Sequence, residues 1–149
     1  MLMVCRRYLF NKQQADATLN KGFLKVFRKL HTFRNQGSFE GWVRKIMVRE
    51  CLDENKAKRV AELPIEEQES LFLQQVPEVE KAHNVRQIML VIEALPHGYR
   101  EVFNLYEIEG YDHGEIAKQM EITESASRSQ LARAKQLLRK KLKDIEGLE

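Results

Sequence analysis

The sequence predicts an all-α protein of two small helical domains joined by an acidic linker. Apolar residues recur at helical spacing through most of the chain, and prolines and glycines interrupt that period at separate points. No stretch alternates apolar and polar residues as a half-buried strand does. At 149 residues with 43% hydrophobic content, the chain has room for one domain or for two small ones with thin cores.

Residues 111–143 predict a short helix, a tight turn and a longer basic helix. Apolar residues recur at helical spacing before the turn, and Leu131, Ala134 and Leu138 resume the period after it. The two helices therefore share one small core. Thr123 is predicted to cap the second helix, because its hydroxyl can accept a backbone N–H that the first turn leaves without a partner.

The face opposite this apolar stripe is predicted to be solvent-facing, polar and partly cationic. It contains Ser125, Arg128, Ser129, Ala132 and Gln136, with Arg133 at its edge. Residues 125–143 include no acid and seven cations: Arg128, Arg133, Lys135, Arg139, Lys140, Lys141 and Lys143. Such a helix fits the major groove of DNA, where arginine reaches guanine edges and other cations hold phosphates. The alternative is a solvated basic helix within a bundle.

Residues 1–59 are predicted to form a helical domain. Residues 1–10 have the pattern of the end of a helix, residues 15–33 predict a second helix, and Ser38 is expected to cap a third that extends to about Arg59.

Three aromatic residues border the loop before this third helix: Phe33, Phe39 and Trp42. Aromatic rings beside cations such as Arg34 can stack unpaired bases while the cations hold phosphates. The spacing of Phe39 and Trp42 also suits an apolar core, and from the residues alone both interpretations stay open.

Charge marks the boundary between the two halves. Residues 1–59 carry 14 Lys and Arg against 5 Asp and Glu, whereas residues 60–81 carry 1 against 6. Residues 82–149 carry 10 against 11. We therefore expect an acidic linker over residues 60–81, with an apolar patch at residues 71–73, and a second domain over residues 82–149.

Several classes of function are not supported by the sequence. The carboxylates and histidines are scattered and no phosphate-binding glycine loop is present, so we expect neither an enzyme nor a cofactor. Cys5 and Cys51 are far apart and lack metal-ligand spacing, and we expect both to be buried, reduced and free of metal. Without an apolar run of membrane-spanning length or a signal peptide, the protein is expected to be cytoplasmic.

With these motifs in this order, the chain resembles an extracytoplasmic-function (group IV) sigma factor of the sigma-70 family, a promoter-recognition subunit of bacterial RNA polymerase. Residues 94–142, from ALPHGYR to LLRKKL, are similar to sigma region 4, and residues 23–53, from FLKVFRK to RECLD, are similar to region 2. The resemblance implies a region 2 helical bundle and a region 4 helix-turn-helix domain. It also implies promoter DNA and core RNA polymerase as partners, the latter through its clamp helices and flap, with an anti-sigma factor as a regulatory partner and no membrane insertion.

Site residues are carried over from this family by position. The resemblance implies contacts to the minus-35 element by Ser125, Arg128, Ser129, Ala132 and Arg133. It implies contacts to the melted minus-10 element by Arg34, Phe39, Trp42 and Arg49. It implies contacts to core polymerase by Asn20, Phe23 and Phe27.

Three features depart from the family pattern. Ala17, Asn20 and Lys21 stand where the family usually has an acidic residue, Gln and Glu, so the polymerase-binding face loses two negative charges and gains a positive one. Arg49 replaces an Asn commonly found beside the pocket for the flipped base. Glu121 replaces the glycine of the helix-turn-helix turn, where a positive φ would strain it.

The leading hypothesis is a non-enzymatic subunit that gives RNA polymerase its promoter choice by binding duplex DNA in one domain and melted DNA in the other. One alternative is a stand-alone helix-turn-helix regulator. Another is a divergent sigma-like interaction protein that does not support initiation. The cationic helix argues against the last alternative, whereas Ala17 and Lys21 argue for it.

Overall fold

The computed structural model describes residues 1–59, 62–80 and 84–142. Internal contacts divide the chain into two compact units, Met1–Glu62 and Leu63–Glu149. The described residues form helices and connecting segments without a β-strand, apart from an isolated bridge between Val79 and Leu142. The predicted all-α fold of two helical units is confirmed.

The first unit contains α1 (Leu2–Tyr8), α2 (Lys12–Lys29), a 3-10 turn (Leu30–Thr32) and α3 (Phe39–Arg59). Each of the three α-helices packs on the other two. The Asn11 side chain caps α2 by accepting from the backbone N–H of Gln14 at 3.1 Å, which places the start of α2 three residues earlier than predicted. Ser38 precedes α3 as expected, and its Oγ accepts from the backbone N–H of Gly41 at 3.0 Å.

The inner face of α2 consists largely of small residues and one valine: Ala15, Thr18, Gly22 and Val26. A Cβ at Gly22 would overlap Sδ of Met47, which is fully buried in α3. Gly22 therefore allows the two helices to approach closely, and α2 continues through it without a break.

The second unit contains α4 (Ile65–Gln75), α5 (Val85–Glu93), α6 (His97–Phe103), α7 (His113–Met120) and α8 (Glu124–Lys141). A π-helical turn at Asn104–Ile108 follows α6 directly. Helix α8 is the centre of the unit, because α4, α5, α6 and α7 all pack against it.

The acidic stretch is partly helical. Where the sequence analysis expects a linker over residues 60–81, the structure has α4, which belongs to the second unit. The apolar patch at residues 71–73 explains the difference, since Phe72 is buried while the four glutamates at positions 62, 66, 67 and 69 are exposed or half-buried. The first helix after the predicted linker begins at Val85, and residues 81–83 lie outside the described part of the chain.

The turns on either side of α7 contain two side-chain caps and the left-handed residue Glu121. Asp112 and Glu115 form a capping box at its start, with bonds of 2.8 and 3.0 Å between side chains and backbone N–H groups. Helix α7 ends at Glu121, whose φ of 56° and ψ of 44° are left-handed. Thr123 then caps α8, accepting from the backbone N–H of Ala126 at 3.0 Å.

We predict that Glu121→Gly stabilises the second unit, because glycine adopts the left-handed conformation without the steric cost that Cβ imposes. The free energy of unfolding should rise by about 1 kcal/mol relative to Glu121→Ala, the matched variant that keeps Cβ and removes the carboxylate. Chemical denaturation of the two variants provides the measurement. Equal stabilities would mean that the turn carries no backbone strain.

Candidate nucleic-acid interface

Helix α8 is oriented about its axis as its apolar period predicts, with the apolar positions buried and the polar positions exposed. Leu131, Ala134 and Leu138 are buried, and α8 packs on α6 and α7. Ser127 is also fully buried, and its Oγ lies 2.9 Å from Nδ1 of His113, whose ring stacks on Tyr106 with centroids 4.6 Å apart. The residues predicted to face outward are all exposed: Ser125, Arg128, Ser129, Ala132, Arg133 and Gln136.

Several cations of α8 pair with other groups of the protein, which the sequence alone does not indicate. Arg128 pairs with Glu124 at 2.9 Å on the same helix, and Lys135 Nζ lies 2.6 Å from an Oε of Glu107. Lys141 is buried, and its Nζ donates to the backbone carbonyl of Leu73 at 2.7 Å. Residues 125–143 contain no acid, but Glu124 and residues of other elements supply partners for these cations. Lys143 lies outside the described residues.

Arg133 has the most extensive set of contacts on this face. Its Nη2 and Nε donate to the two carboxylate oxygens of Glu69 on α4 at 2.8 and 3.3 Å, and its Nη1 donates to Gln136 at 2.9 Å. The Tyr99 hydroxyl donates to the same carboxylate at 2.6 Å. The negative charge of Glu69 raises the pKa of Arg133, while burial, reinforced by the bond to Glu69, raises the pKa of Tyr99 to about 12.

Glu69 was missed by the sequence analysis. It lies in the stretch expected to be a linker, 64 positions before Arg133. Nothing in its local pattern distinguishes it from the neighbouring glutamates, and only the docking of α4 brings it to α8.

In the first unit, Phe33, Phe39 and Trp42 form one mutually contacting cluster. Phe39 stacks on Trp42 with ring centroids 5.8 Å apart, and Phe33 lies 5.3 and 5.4 Å from the other two rings. Phe39 is 47% exposed and the other two rings are half-buried, so the cluster lies at the surface rather than in the core. Phe39 is therefore not a core residue, and the stacking of an unpaired base on the cluster stays a prediction.

Cations flank this aromatic cluster. Arg34 is exposed in the adjoining loop, which turns through the left-handed residues Asn35 and Gly37, with φ of 53° and 90°. Arg49 lies seven positions after Trp42 on α3 and therefore on the same helical face. It is exposed and pairs with Asp53 at 3.4 Å.

Helix α2 carries an exposed apolar face opposite its buried one. Phe23 is 39% exposed and Phe27 is 72% exposed, and Asn20 lies on the same side at helical spacing. Next to Asn20 in the sequence, Lys21 lies 3.8 Å from Glu50, a buried carboxylate of α3 that also pairs with Lys25. The unusual cation at position 21 therefore belongs to an ion-pair cluster around Glu50.

Other chemistry is sparse in the described ranges. Their His, Cys, Asp and Glu side chains do not gather into a group of three that could hold a metal ion. Within the same ranges, no helix is long and apolar enough to cross a bilayer. Cys5 and Cys51 are both buried thiols, and the fold brings them together, so that a hydrogen bond with Cys51 lowers the pKa of the Cys5 thiol.

Comparisons with known proteins agree with this arrangement. Residues 2–60 match the family model for sigma-70 region 2, and residues 85–138 match that for sigma-70 region 4. The chain is 22% identical to the RNA polymerase sigma-H factor of Pseudomonas aeruginosa over 93% of this chain and 78% of that protein. It is 26% identical to the ECF RNA polymerase sigma factor SigE of Mycolicibacterium smegmatis over 87% of this chain and 52% of that protein.

A solved structure shares the fold. It is the sigma factor RpoE from Bartonella quintana, in a co-crystal with the anti-sigma factor NepR. The two chains superpose with a TM-score of 0.63 at 14% identity, over 97% of this chain and 91% of the other. Family models for two sigma-70 regions match in order over residues 2–60 and 85–138, so the chain belongs to the sigma-70 family of RNA polymerase sigma factors.

Proposed function

We propose that this sigma factor acts in the cytoplasm as a non-enzymatic subunit that selects promoters by binding duplex DNA through α8 and melted DNA through the aromatic cluster of the first unit. The observation that carries this proposal is the presence of both surfaces in one chain. Each lies in the unit whose sequence matches the corresponding sigma region.

The minus-35 element is assigned to the exposed face of α8. Arg128 lies in the second turn of the helix, where a guanidinium reaches guanine O6 and N7 in the major groove. Ser125 and Ser129 are suited to phosphate contacts that fix the register, and Ala132 offers an apolar contact to a thymine methyl. Arg133, at the edge of the face, is assigned to the same element.

The minus-10 element is assigned to the aromatic cluster. An unstacked base can lie against the exposed face of Phe39, with Trp42 and Phe33 supporting that ring from behind. Arg34 and Arg49 provide positive charge on either side for the single-strand backbone.

Core polymerase is assigned to the exposed face of α2. Phe23 and Phe27 supply exposed apolar area for this contact. Asn20, which lies one turn before Phe23 on α2, supplies a polar contact to the same partner. We assign the polymerase flap to the second unit by the same family relationship. An anti-sigma factor is a further proposed partner, supported by the fold shared with RpoE, which was crystallised with one.

The two alternative functions are tested by one experiment. A stand-alone helix-turn-helix regulator would need no region 2, so the match over residues 2–60 argues against it. The other alternative, a sigma-like protein that does not support initiation, predicts that the chain fails to bind core polymerase. Association of the purified chain with core RNA polymerase, measured by size-exclusion chromatography, would support the proposal, and its absence would contradict it.

We predict that Arg128→Ala lowers discrimination between the preferred minus-35 duplex and a duplex with a substituted guanine by about 1–3 kcal/mol, because a bidentate guanine contact is lost. Fluorescence anisotropy on the two duplexes measures this difference. Arg86→Ala is the matched control, since Arg86 is an exposed arginine on α5 rather than α8. A similar loss of discrimination in both variants would show that net charge, not base contact, is responsible.

Phe39→Ala should weaken binding to single-stranded minus-10 DNA by about 1–3 kcal/mol, the contribution of one stacked base. The control is Phe27→Ala, which removes a more exposed phenylalanine of the same unit that lies outside the aromatic cluster. Circular dichroism should show both variants folded. If Phe39→Ala instead unfolds the unit, its ring is structural and the assignment to the melted strand fails.

Lys21→Glu should destabilise the first unit by about 0.5–1 kcal/mol, because it places a carboxylate beside buried Glu50 and removes an exposed ion pair. Ala17→Asp, one turn earlier and also exposed, should leave stability within about 0.5 kcal/mol of wild type and strengthen association with core polymerase. Urea denaturation and the same chromatographic assay measure the two effects. Stability unchanged by Lys21→Glu would contradict the role of Lys21 beside Glu50.

A further inference from the structure

Helix α4 docks against α8 through polar contacts near its middle and in its last turn. Near the middle, Glu69 accepts two hydrogen bonds from Arg133. At its end, the carbonyl of Leu73 accepts from Lys141, a cation placed where a helix C-terminus favours positive charge. Just beyond α4, the backbone N–H of Val79 donates to the carbonyl of Lys141 at 2.7 Å.

The docking is supported by burial. Phe72 is 3% exposed and anchors the apolar side of α4 within the second unit. The Glu69 side chain is 16% exposed, whereas that of Arg133 is 53% exposed, so the carboxylate is the more enclosed partner. The Tyr99 hydroxyl also donates to Oε1 of Glu69 at 2.6 Å, the oxygen that accepts from Arg133 Nε, and this bond helps to fix the orientation of the carboxylate. Glu69 is thus held in place to meet Arg133.

The carboxylate of Glu69 accepts hydrogen bonds from the same two N–H groups of Arg133 that would bind DNA. Two parallel N–H donors of a guanidinium fit a carboxylate, a phosphate or the O6 and N7 edge of guanine equally well in geometry. In this structure those two donors point at Glu69, and a third nitrogen donates to Gln136. Arg133 therefore has to leave Glu69 before the same fork can bind DNA.

We propose that α4 is an internal competitor for DNA, an acidic latch in which Glu69, anchored by Phe72, holds Arg133 away from the promoter. This inference rests on the proposed function of α8 and adds a means of regulating it. The apparent DNA affinity equals the affinity of the released state multiplied by the fraction of molecules in which α4 is released. By linkage, a partner that binds released α4 raises DNA affinity, and DNA raises affinity for that partner by the same factor.

The test compares the full chain with Glu69→Gln and with Glu67→Gln, which removes the same charge from an exposed position on the same helix. The probe is a mixed-sequence DNA duplex at low salt, followed by fluorescence anisotropy. Glu69→Gln should bind at least about fivefold more tightly than Glu67→Gln, and Glu67→Gln should lie within about twofold of wild type.

Arg133→Ala provides the second arm. It should cost little affinity in the wild-type background, where Arg133 is held by Glu69, and clearly more in the Glu69→Gln background. Phe72→Ala, which weakens the docking without changing charge, should shift affinity in the same direction as Glu69→Gln. Circular dichroism confirms that this variant retains its helices.

Each outcome has a defined reading. Equal affinities for Glu69→Gln and Glu67→Gln would overturn the latch, as would an equal cost of Arg133→Ala in both backgrounds. In both cases, duplex binding itself would leave the proposed function standing. Absence of duplex binding by every variant would overturn the assignment of α8 to DNA, and the latch with it.

Discussion

The buried stripe along α8 determines how the second unit can be used. Leu131, Ala134 and Leu138 pack inward, and Ser127 is tied to His113 at the start of the same stripe. With that side fixed, the positions between them must face outward, since a helix repeats every 3.6 residues. Rotating α8 by about 100° would bury Arg128 and expose Leu131, at a cost well above that of any single surface contact. Apolar packing thus fixes the orientation of the side chains that are proposed to contact DNA.

The polar contacts of Arg128 and Arg133 then determine how readily these side chains can bind another anion. Surface ion pairs such as Arg128 with Glu124 contribute little to stability and exchange readily for another anion. The contact between Arg133 and Glu69 differs, because its carboxylate is enclosed by Tyr99 and by the docking of α4. The same guanidinium therefore serves internal packing in one state and the proposed DNA contact in another.

The fold and the rotation of the DNA-facing helix were predictable because they depend on local information. The 3.6-residue period and the cap at Thr123 are encoded within a few residues of where they act. The left-handed turn at Glu121 was expected only because the family has a glycine at this position. The outward face of α2 was harder to predict, since Phe23 and Phe27 lie near Val26 in the apolar period. Gly22 and its fit against Met47 are what turn the smaller residues inward.

The features that were missed are non-local. Helix α4 is rich in glutamate and flanked by prolines, which favours a linker, and Phe72 outweighs those signals only because the second unit supplies a site to bury it. The contact of Glu69 with Arg133 depends on that docking. The proximity of Cys5 and Cys51 depends likewise on the packing of α1 against α3. The docking of α4, the contact of Glu69 with Arg133 and the proximity of the two cysteines therefore cannot be predicted from spacing along the chain.

The central claim is that this chain gives RNA polymerase its choice of promoter. The most direct test reconstitutes core polymerase with the purified chain on genomic DNA of the host and maps the 5′ ends of the transcripts. With the chain present, we expect start sites that are absent with core enzyme alone and that are preceded by two shared sequence elements at constant spacing. Start sites that match those of core enzyme alone would contradict the claim.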